Sequence, residues 1–253
     1  GLTELKSLIE LNLSLNQLNE IKGLDALSSL HTLKLSLNSI QKISGLNRLK
    51  HLSVLDLFGN KIFEIIGLEK LTDLVELNLG NNQIEEIKNL DNLRKLKKLD
   101  FYYNKIKKIH GIEVQFSLET LNLGGNQISE IIGLENLTSL RELNLSTNQI
   151  SKIKGLEQFL ALKKLDLSGN KIIEIKGLEQ LVNLQALDLS LNQITLIKGL
   201  NRLTSLTELD LSQNVISNIQ GLDALINLNK LYLHRNQIRK IEGIENLRSL
   251  TIL

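Results

Sequence analysis

The chain has 253 residues, and no stretch rich in glycine, serine or proline divides it, so the composition predicts one uninterrupted domain over residues 1–253. Hydrophobic residues make up 42% but aromatic residues only 3%, which indicates a core of leucine and isoleucine in a regular array. The net charge of +2 is the difference between 30 basic and 28 acidic residues, which excludes a global field that would attract nucleic acid or an anionic membrane.

Cysteine is absent, and no apolar run reaches the roughly 18 residues that a membrane-spanning helix needs. These features are typical of a reducing compartment, and we expect a cytoplasmic location. The chain begins at Gly1 without an initiator methionine and ends inside a repeat at Leu253. We therefore expect a fragment of a longer chain, whose other domains are candidate partners.

One asparagine recurs every 22 residues, as the first step (38 − 16 = 22) shows. Its positions are Asn16, Asn38, Asn60, Asn82, Asn104, Asn126, Asn148, Asn170, Asn192, Asn214 and Asn236. Glycine keeps the same spacing from Gly23 to Gly243 and is replaced once, by Asn89. Since asparagine tolerates positive φ best after glycine, this exchange predicts a left-handed backbone at that position of each repeat.

Each repeat combines two periodicities. Leu178, Leu181 and Leu184 are spaced by three, which predicts a short α or 3-10 helical turn, whereas Leu187 and Leu189 alternate as in a strand. A single repeat cannot bury these leucines, but stacked repeats form a parallel sheet over a continuous core. The sequence predicts about eleven such repeats.

The recurring asparagine has a predicted structural role where the chain leaves the strand. Backbone groups there point inward and need partners, and a carboxamide can both donate and accept. We therefore expect the stacked asparagines to form a ladder of hydrogen bonds. Replacing one with alanine at a central repeat should cost about 1–3 kcal/mol.

The unit G-L-x-x-L-x-x-L-x-x-L-x-L-x-x-N-x-I-x-x-I-x resembles the leucine-rich-repeat superfamily over essentially the whole chain. Residues Ile172 to Leu181 carry I-x-x-I-x-G-L-E-x-L, which is similar to the 22-residue class of the regulatory subunit of protein phosphatase 1. The resemblance implies an α/β fold, a leucine-rich-repeat solenoid curved as a horseshoe. Its parallel β-sheet would line the concave face and its short helical turns the convex face.

The resemblance also implies a protein-binding function, which is common in this superfamily. Members of the superfamily include phosphatase regulators, spliceosomal and dynein-associated subunits, internalin-type bacterial adhesins and repeat arms attached to GTPases. Internalin repeats usually carry proline where this chain has glycine, which favours the phosphatase-regulator type.

Side chains alternate along a strand, so the outward positions can be read from the repeat. Two residues before each asparagine, most residues are small, but Phe58 and Tyr102 are aromatic. They lie two strands apart, about 10 Å, with Gly80 between them, which predicts a slot between two rings. Phe58, Tyr102 and Tyr103 form an aromatic island of the kind that anchors protein interfaces. The alternative is that the rings only cover neighbouring leucines.

A second outward row lies four residues before each asparagine, and its acidic members are Asp56, Asp100, Asp166, Asp188 and Asp210. The last three follow one another on adjacent strands, where like charges about 5 Å apart repel. We expect a basic segment of a partner to neutralise them. The alternative is solvation, or neutralisation by Lys164. A flat row does not wrap a cation, so no metal site is expected.

The strand face changes character in the last repeats, where Tyr232, His234 and Arg235 form an aromatic and basic cluster. This cluster either contacts an acidic or phosphorylated partner or is the divergent surface of a late repeat. The remaining histidines have no second ligand at metal-binding spacing and are expected on the surface. They are His31, His51 and His110.

The sixth repeat is irregular, because Gln115 stands where leucine is expected and Phe116 follows it. We expect the turn to rotate so that Phe116 becomes buried.

Catalysis needs unlike groups that converge in a pocket, whereas a repeat array offers rows. No phosphate-binding loop, nucleophile elbow or H-E-x-x-H motif is present. We therefore expect neither an enzyme nor a cofactor, and neither a nucleic-acid partner nor a membrane span.

The sequence thus predicts a scaffold or regulatory subunit that binds a partner protein on its concave face. One alternative is the recognition arm of a larger multidomain protein, such as a GTPase or a bacterial effector, whose activity lies outside this segment. Another is a designed repeat scaffold, which the constant period and the absence of Cys, Met, Pro and Trp favour but the irregular sixth repeat disfavours.

Overall fold

The computed structural model describes residues 2–253, which divide into two compact units that end at Asn126 and Leu253. In the first unit the strands are β1 (Glu10–Asn12), β2 (Thr32–Lys34), β3 (Val54–Asp56), β4 (Glu76–Asn78), β5 (Lys98–Asp100) and β6 (Thr120–Asn122). In the second they are β7 (Glu142–Asn144), β8 (Lys164–Asp166), β9 (Ala186–Asp188), β10 (Glu208–Asp210) and β11 (Lys230–Tyr232). The prediction of a single domain stays a prediction.

Within each unit, every strand pairs in parallel with the strand of the next repeat, in a register of 22 residues. Leu33 pairs with Leu55 in the first unit, and Leu165 pairs with Leu187 in the second. Residues at one position of the repeat are therefore neighbours in space. This confirms the predicted parallel sheet. It also shows that residues at one repeat position, which the sequence analysis grouped as rows, lie side by side on adjacent strands.

The core consists of the leucine and isoleucine columns. In the ninth repeat, all five leucines named above are buried, together with Ile194, and the columns continue through both units. Phe101 replaces a strand leucine and is fully buried, as is Phe159 in a turn position. The predicted repetitive core is confirmed.

The predicted helical turns are wrong, because residues 2–253 contain neither an α-helix nor a 3-10 helix. The leucines spaced by three lie instead in single turns. Leu27 N–H donates to Leu24 C=O over 3.0 Å, and Leu30 N–H donates to Leu27 C=O over 3.1 Å. Each turn contains one such hydrogen bond, and the next residues do not continue the pattern. The consecutive hydrogen bonds that define a helix are therefore absent. A spacing of three is shared by a helix and by a chain of separate turns.

The left-handed positions are confirmed. The glycines of the column have φ between +68° at Gly45 and +91° at Gly177, and Asn89 has a φ of 60°. A Cβ added at Gly177 would lie 2.4 Å from the carbonyl oxygen of Ile153 in the previous repeat. At the exceptional repeat, the Asn89 Nδ2 donates to the corresponding carbonyl, that of Ile65, over 2.7 Å. Glycine is thus needed for φ and for space, and asparagine replaces the close approach with a hydrogen bond.

The asparagine ladder is also confirmed. Asn60 Nδ2 donates to the carbonyls of Leu57 in its own repeat and Leu35 in the previous repeat, each over 3.0 Å. Its Oδ1 accepts the N–H of Ile40 over 3.0 Å. One carboxamide therefore satisfies buried backbone groups of two repeats and ties them together.

The expectation for the sixth repeat is wrong. Phe116 is 57% exposed, and Gln115 takes the buried leucine position with no exposed surface. Gln115 Nε2 donates to the carbonyl of Leu90 over 2.8 Å, but its Oε1 has no partner. The backbone path, which successive repeats share, decides which position points inward, so the repeat buries a polar group instead of rotating.

Gln115→Leu should therefore raise the free energy of unfolding by about 2 kcal/mol, because it removes an unsatisfied buried oxygen at little change in volume. The Leu90 carbonyl keeps its bond from Leu93 N–H, at 2.9 Å. Urea denaturation followed by circular dichroism measures the change, and Gln83→Leu at an exposed position is the control. A midpoint for Gln115→Leu at or below that of the wild type would contradict the prediction.

Candidate interaction surface

We call the outward side chains of the strands the strand face. It has three rows, and the sequence analysis used only two of them. The third row, six residues before each ladder asparagine, carries ion pairs between neighbouring strands. They are Glu76 with Lys98 (2.8 Å), Glu142 with Lys164 (2.8 Å) and Glu208 with Lys230 (3.3 Å). The pairs recur every 66 residues (142 − 76 = 66 and 208 − 142 = 66). This three-repeat spacing was the signal that could have revealed the row.

The row that contains the aspartates has a structural role that the sequence analysis missed. Asp56 Oδ1 accepts the N–H of Phe58 over 3.0 Å, and Asp100 Oδ1 accepts the N–H of Tyr102 over 2.7 Å. Asn78 makes the same bond to Gly80 over 3.0 Å. Asparagine and aspartate both accept this backbone hydrogen bond at the end of the strand. Aspartate at this position therefore differs from asparagine only by its negative charge.

The aromatic island lies in the first unit, but the predicted open slot is wrong. A Cβ added at Gly80 would lie 3.0 Å from Cδ2 of Phe58, so the Phe58 ring already covers the glycine between the two aromatic strands. Phe58 is half-buried as a result. The glycine permits this contact because it has no side chain. It creates no gap.

Tyr102 and Tyr103 are the exposed part of the island, at 38% and 57% exposure. Their ring centroids lie 5.3 Å apart at an angle of 55°. Tyr103 has a left-handed backbone with φ of 54°, and its ring lies beside Gly125, whose added Cβ would meet Tyr103 Cδ2 at 2.7 Å. Two exposed rings held in fixed positions offer a large contact area at low cost in side-chain entropy.

A depression of about 320 Å³ lies on the strand face of the first unit, and we call it the β3–β6 depression. Its floor is the strand backbone at Leu55, Leu77 and Leu99, whose side chains are at most 1% exposed and belong to the core, and Val54 is the outward apolar side chain of its lining. Its polar lining comes from Lys34, Asp56, Glu76, Asn78, Lys98, Asp100, Thr120 and Asn122. Tyr102 follows Asp100 by two residues on the same strand face, so the tyrosines lie next to this depression.

Asp100 is the carboxylate of the β3–β6 depression whose pKa is shifted. Burial raises the pKa of the Asp100 carboxyl above its usual value, and the negative charge of Asp56 raises it further. The N–H of Tyr102 and the Asn122 Nδ2, 3.0 Å from Asp100 Oδ2, act in the opposite direction. Burial has the largest effect, so the two hydrogen bonds do not fully offset the desolvation of the charged Asp100 carboxylate.

The acidic row Asp166, Asp188 and Asp210 lies on the consecutive strands β8, β9 and β10 of the second unit, as expected. Burial raises the pKa of the Asp188 carboxyl, and the charges of its two neighbours raise it further. In the part of the chain that the structure describes, no ion pair neutralises these three carboxylates. Lys164 pairs with Glu142, so it does not serve the role considered for it.

Asp188→Asn should stabilise the protein at pH 7 by about 0.5 kcal/mol, the size typical of a cross-strand charge interaction. Asn144 accepts the same strand-end hydrogen bond in β7, from the N–H of Ser146 over 2.8 Å. An asparagine at position 188 is therefore expected to keep this bond. Because the folded-state pKa of Asp188 is raised, its destabilising effect appears as the pH rises through that pKa and is absent when the carboxyl is protonated. Urea denaturation at pH 7 and pH 3 tests this, with the exposed Asp91→Asn as control. A gain of equal size at both pH values would exclude the electrostatic cause.

The three residues of the predicted cluster at the last strand differ in exposure. Tyr232 is half-buried and pairs in register with Asp210, so on the last strand it occupies the position that the aspartates hold on β8 to β10. His234 and Arg235 are exposed. Arg235 has a φ of 56°, and its Nη1 donates to Gln213 Oε1 over 3.2 Å. Arg235 is thus linked to the preceding repeat through Gln213.

His31, His51 and His110 are exposed, as predicted. The rings of His31 and His51 stack, with centroids 6.1 Å apart and an interplanar angle of 15°, a contact that the sequence does not predict. They occupy different positions of neighbouring repeats, which hides the contact in the sequence. Among residues 2–253, no group of three or more His, Cys, Asp or Glu side chains is arranged to hold a metal ion. No helix of the described chain is long and apolar enough to cross a membrane.

A family model described as leucine-rich repeats in two copies matches residues 50–92, 72–113, 117–158, 161–202, 182–225 and 204–246. These matches cover more than half of the chain, which therefore belongs to the leucine-rich-repeat family. The comparison with curated proteins gives no match. Assignment to the phosphatase-regulator type stays a prediction.

Solved structures with this fold come from several sources. The internalin inlF of Listeria monocytogenes is 29% identical with a TM-score of 0.80, over 98% of this chain and 87% of its own. A leucine-rich-repeat protein of Leptospira interrogans is 29% identical with a TM-score of 0.91, over 99% and 67%. TLR13, solved in complex with the RNA ssRNA13, is 29% identical with a TM-score of 0.82, over 97% of this chain and 39% of its own. An internalin is thus similar to this chain despite the glycine that replaces the usual proline.

Proposed function

We propose that this chain is a protein-binding module whose main contact surface is the strand face of the first unit, centred on the aromatic island and the β3–β6 depression. The observation that carries the proposal is the exposure of Tyr102 and Tyr103 beside that depression. Tyrosine is enriched among the few residues that supply most of the binding energy in protein interfaces, and here the chain places two of its three tyrosines side by side.

The ion pairs of the strand face favour a protein over a nucleic acid as partner. Lys34 pairs with Glu10, and the lysines of the third row pair with the glutamates named above. These cations are already neutralised, so the surface offers no row of free positive charge for a phosphate backbone. The ssRNA complex of TLR13 is a property of that protein.

The proposal extends to a scaffold or regulatory role without catalysis, and to a cytoplasmic location as first expected. The second candidate is a recognition arm of a larger protein. It is favoured by the TLR13 match, in which a region like this chain makes up 39% of the longer chain. In both cases the same surface would bind the partner.

The test is affinity capture from an extract of the source cells, with the bound proteins identified by mass spectrometry. The wild type is compared with the Phe58→Ala, Tyr102→Ala, Tyr103→Ala variant after circular dichroism has shown that both are folded. The matched control is Phe63→Ala, Phe116→Ala, which removes rings that are 49% and 57% exposed and lie outside the strands.

We expect one protein to be retained by the wild type and the control and lost by the island variant, since truncating interface aromatics costs about 2 kcal/mol or more each. If all three chains retain the same proteins, or none retains any, the island is not the binding site and the proposal fails.

A further inference from the structure

The charges around the β3–β6 depression are unequally compensated. Lys34 Nζ lies 2.6 Å from Glu10 Oε1, and Lys98 Nζ lies 2.8 Å from Glu76 Oε1, so both cations of the lining already have carboxylate partners. Asp56 and Asp100 form no ion pair within the described residues. Lys34 lies opposite Asp56 in the register and also interacts with its charge, but the lining holds three carboxylates, Asp56, Glu76 and Asp100, against two lysines. The depression therefore carries an excess of negative charge.

The two aspartates flank one position of the sheet. Asp56 pairs with Asn78, which pairs with Asp100, so the aspartates project from the same face on either side of β4. Two strand spacings separate them, about 10 Å between backbones. The side chain between them, Asn78, is neutral and is held by the N–H of Gly80. A group entering here meets carboxylate acceptors from both sides, with the strand backbone beneath it.

The surroundings favour a cation with an apolar stem. Asp100 is partly desolvated, as the upward shift of its pKa indicates, and a desolvated carboxylate gains strongly from a charged hydrogen-bond donor. Tyr102 is exposed two residues further along β5 and offers a ring face for a cation–π contact. The outward side chain of Val54, in the same lining, suits the methylene stem of a basic side chain.

We propose that the β3–β6 depression receives one basic side chain, arginine or lysine, from an extended segment of the partner, held between Asp56 and Asp100 and against Tyr102. This inference rests on the proposed function and names the chemistry of the partner. In this arrangement Asp56 and Asp100 select a basic side chain, and the neighbouring tyrosines supply most of the binding affinity.

The test is a selection of a displayed random peptide library on the wild-type chain, followed by affinity measurements with synthetic copies of the enriched peptides. We expect a basic residue at one fixed position. Replacing it with its neutral analogue, citrulline for arginine or acetyl-lysine for lysine, should weaken binding to the wild type about tenfold or more, as the loss of a charge-assisted contact implies.

The Asp56→Asn, Asp100→Asn variant isolates the charges. Asparagine keeps the strand-end bond at this position, as Asn78 and Asn122 show with distances of 3.0 and 3.1 Å. In this variant the basic peptide should bind weakly, and the neutral analogue should bind no more weakly than the basic peptide. Asp166→Asn, Asp188→Asn in the second unit is the matched control and should behave as the wild type.

Each other outcome overturns the inference. Enriched peptides without a fixed basic residue, or an equal fall with the neutral analogue in the wild type and the Asp56, Asp100 variant, would exclude the acidic pair as the specificity site. No enrichment on the wild type would exclude an extended segment as the ligand. In each case the capture experiment still decides whether the island binds a protein, so the two proposals fail separately.

Discussion

Asn192→Ala is expected to lower the free energy of unfolding by about 3 kcal/mol. The side chain accepts the N–H of Ile172 over 3.0 Å, and Ile172 is fully buried, so alanine leaves a buried donor without a partner. An orphaned buried donor costs about 1–3 kcal/mol, and the lost donations to Leu167 and Leu189 add to it. These two carbonyls keep a second donor from Asn170 and Asn214, which limits the total. Urea denaturation measures the change.

The matched control is Asn16→Ala, at the same position of the first repeat. Asn16 is exposed, and among residues 2–253 its Nδ2 donates only to the carbonyls of Leu13 and Ser14 in its own repeat, over 3.1 and 3.2 Å. This change should cost less than about 1 kcal/mol, because no buried donor from another repeat is orphaned. Equal losses for Asn16 and Asn192 would show that the link between repeats does not stabilise the fold.

Gly177→Ala is expected to cost about 3–5 kcal/mol. The residue has a φ of +91°, which alone costs an L-residue about 1–2 kcal/mol. The new Cβ would also lie 2.4 Å from the carbonyl oxygen of Ile153, which belongs to the backbone of the previous repeat and can move only if the stacking changes. Thermal and urea denaturation should both register the loss.

Two controls separate these causes. Gly23→Ala has a similar φ of +73° but nothing within 4 Å of the added Cβ, so it should cost only about 1–2 kcal/mol. Gly177→Asn should be milder than Gly177→Ala, although asparagine is larger, because Asn89 shows that its amide can bond the approaching carbonyl. If Gly177→Asn proves as damaging as Gly177→Ala, that hydrogen bond does not offset the crowding.

The sequence by itself determined the repeat, the parallel sheet, the left-handed glycine column and the asparagine ladder. The reason is that a constant period places residues 22 apart in direct contact, so columns in the sequence are columns in space. The chemistry of each column then follows from one residue type repeated in one environment. The acidic residues at Asp166, Asp188 and Asp210 could be placed on neighbouring strands for the same reason.

The tertiary structure decided what depends on side-chain direction and on contacts between different positions of the repeat. The Phe58 ring leans over Gly80 at the same position of the next repeat, and the period cannot show that direction. His31 stacks on His51, although the two occupy positions that the period does not align. Which carboxylates stay unpaired, as at Asp56 and Asp100, depends on where each lysine reaches. Gln115 is buried because the shared backbone path fixes which position faces the core, and one polar residue cannot redirect that path.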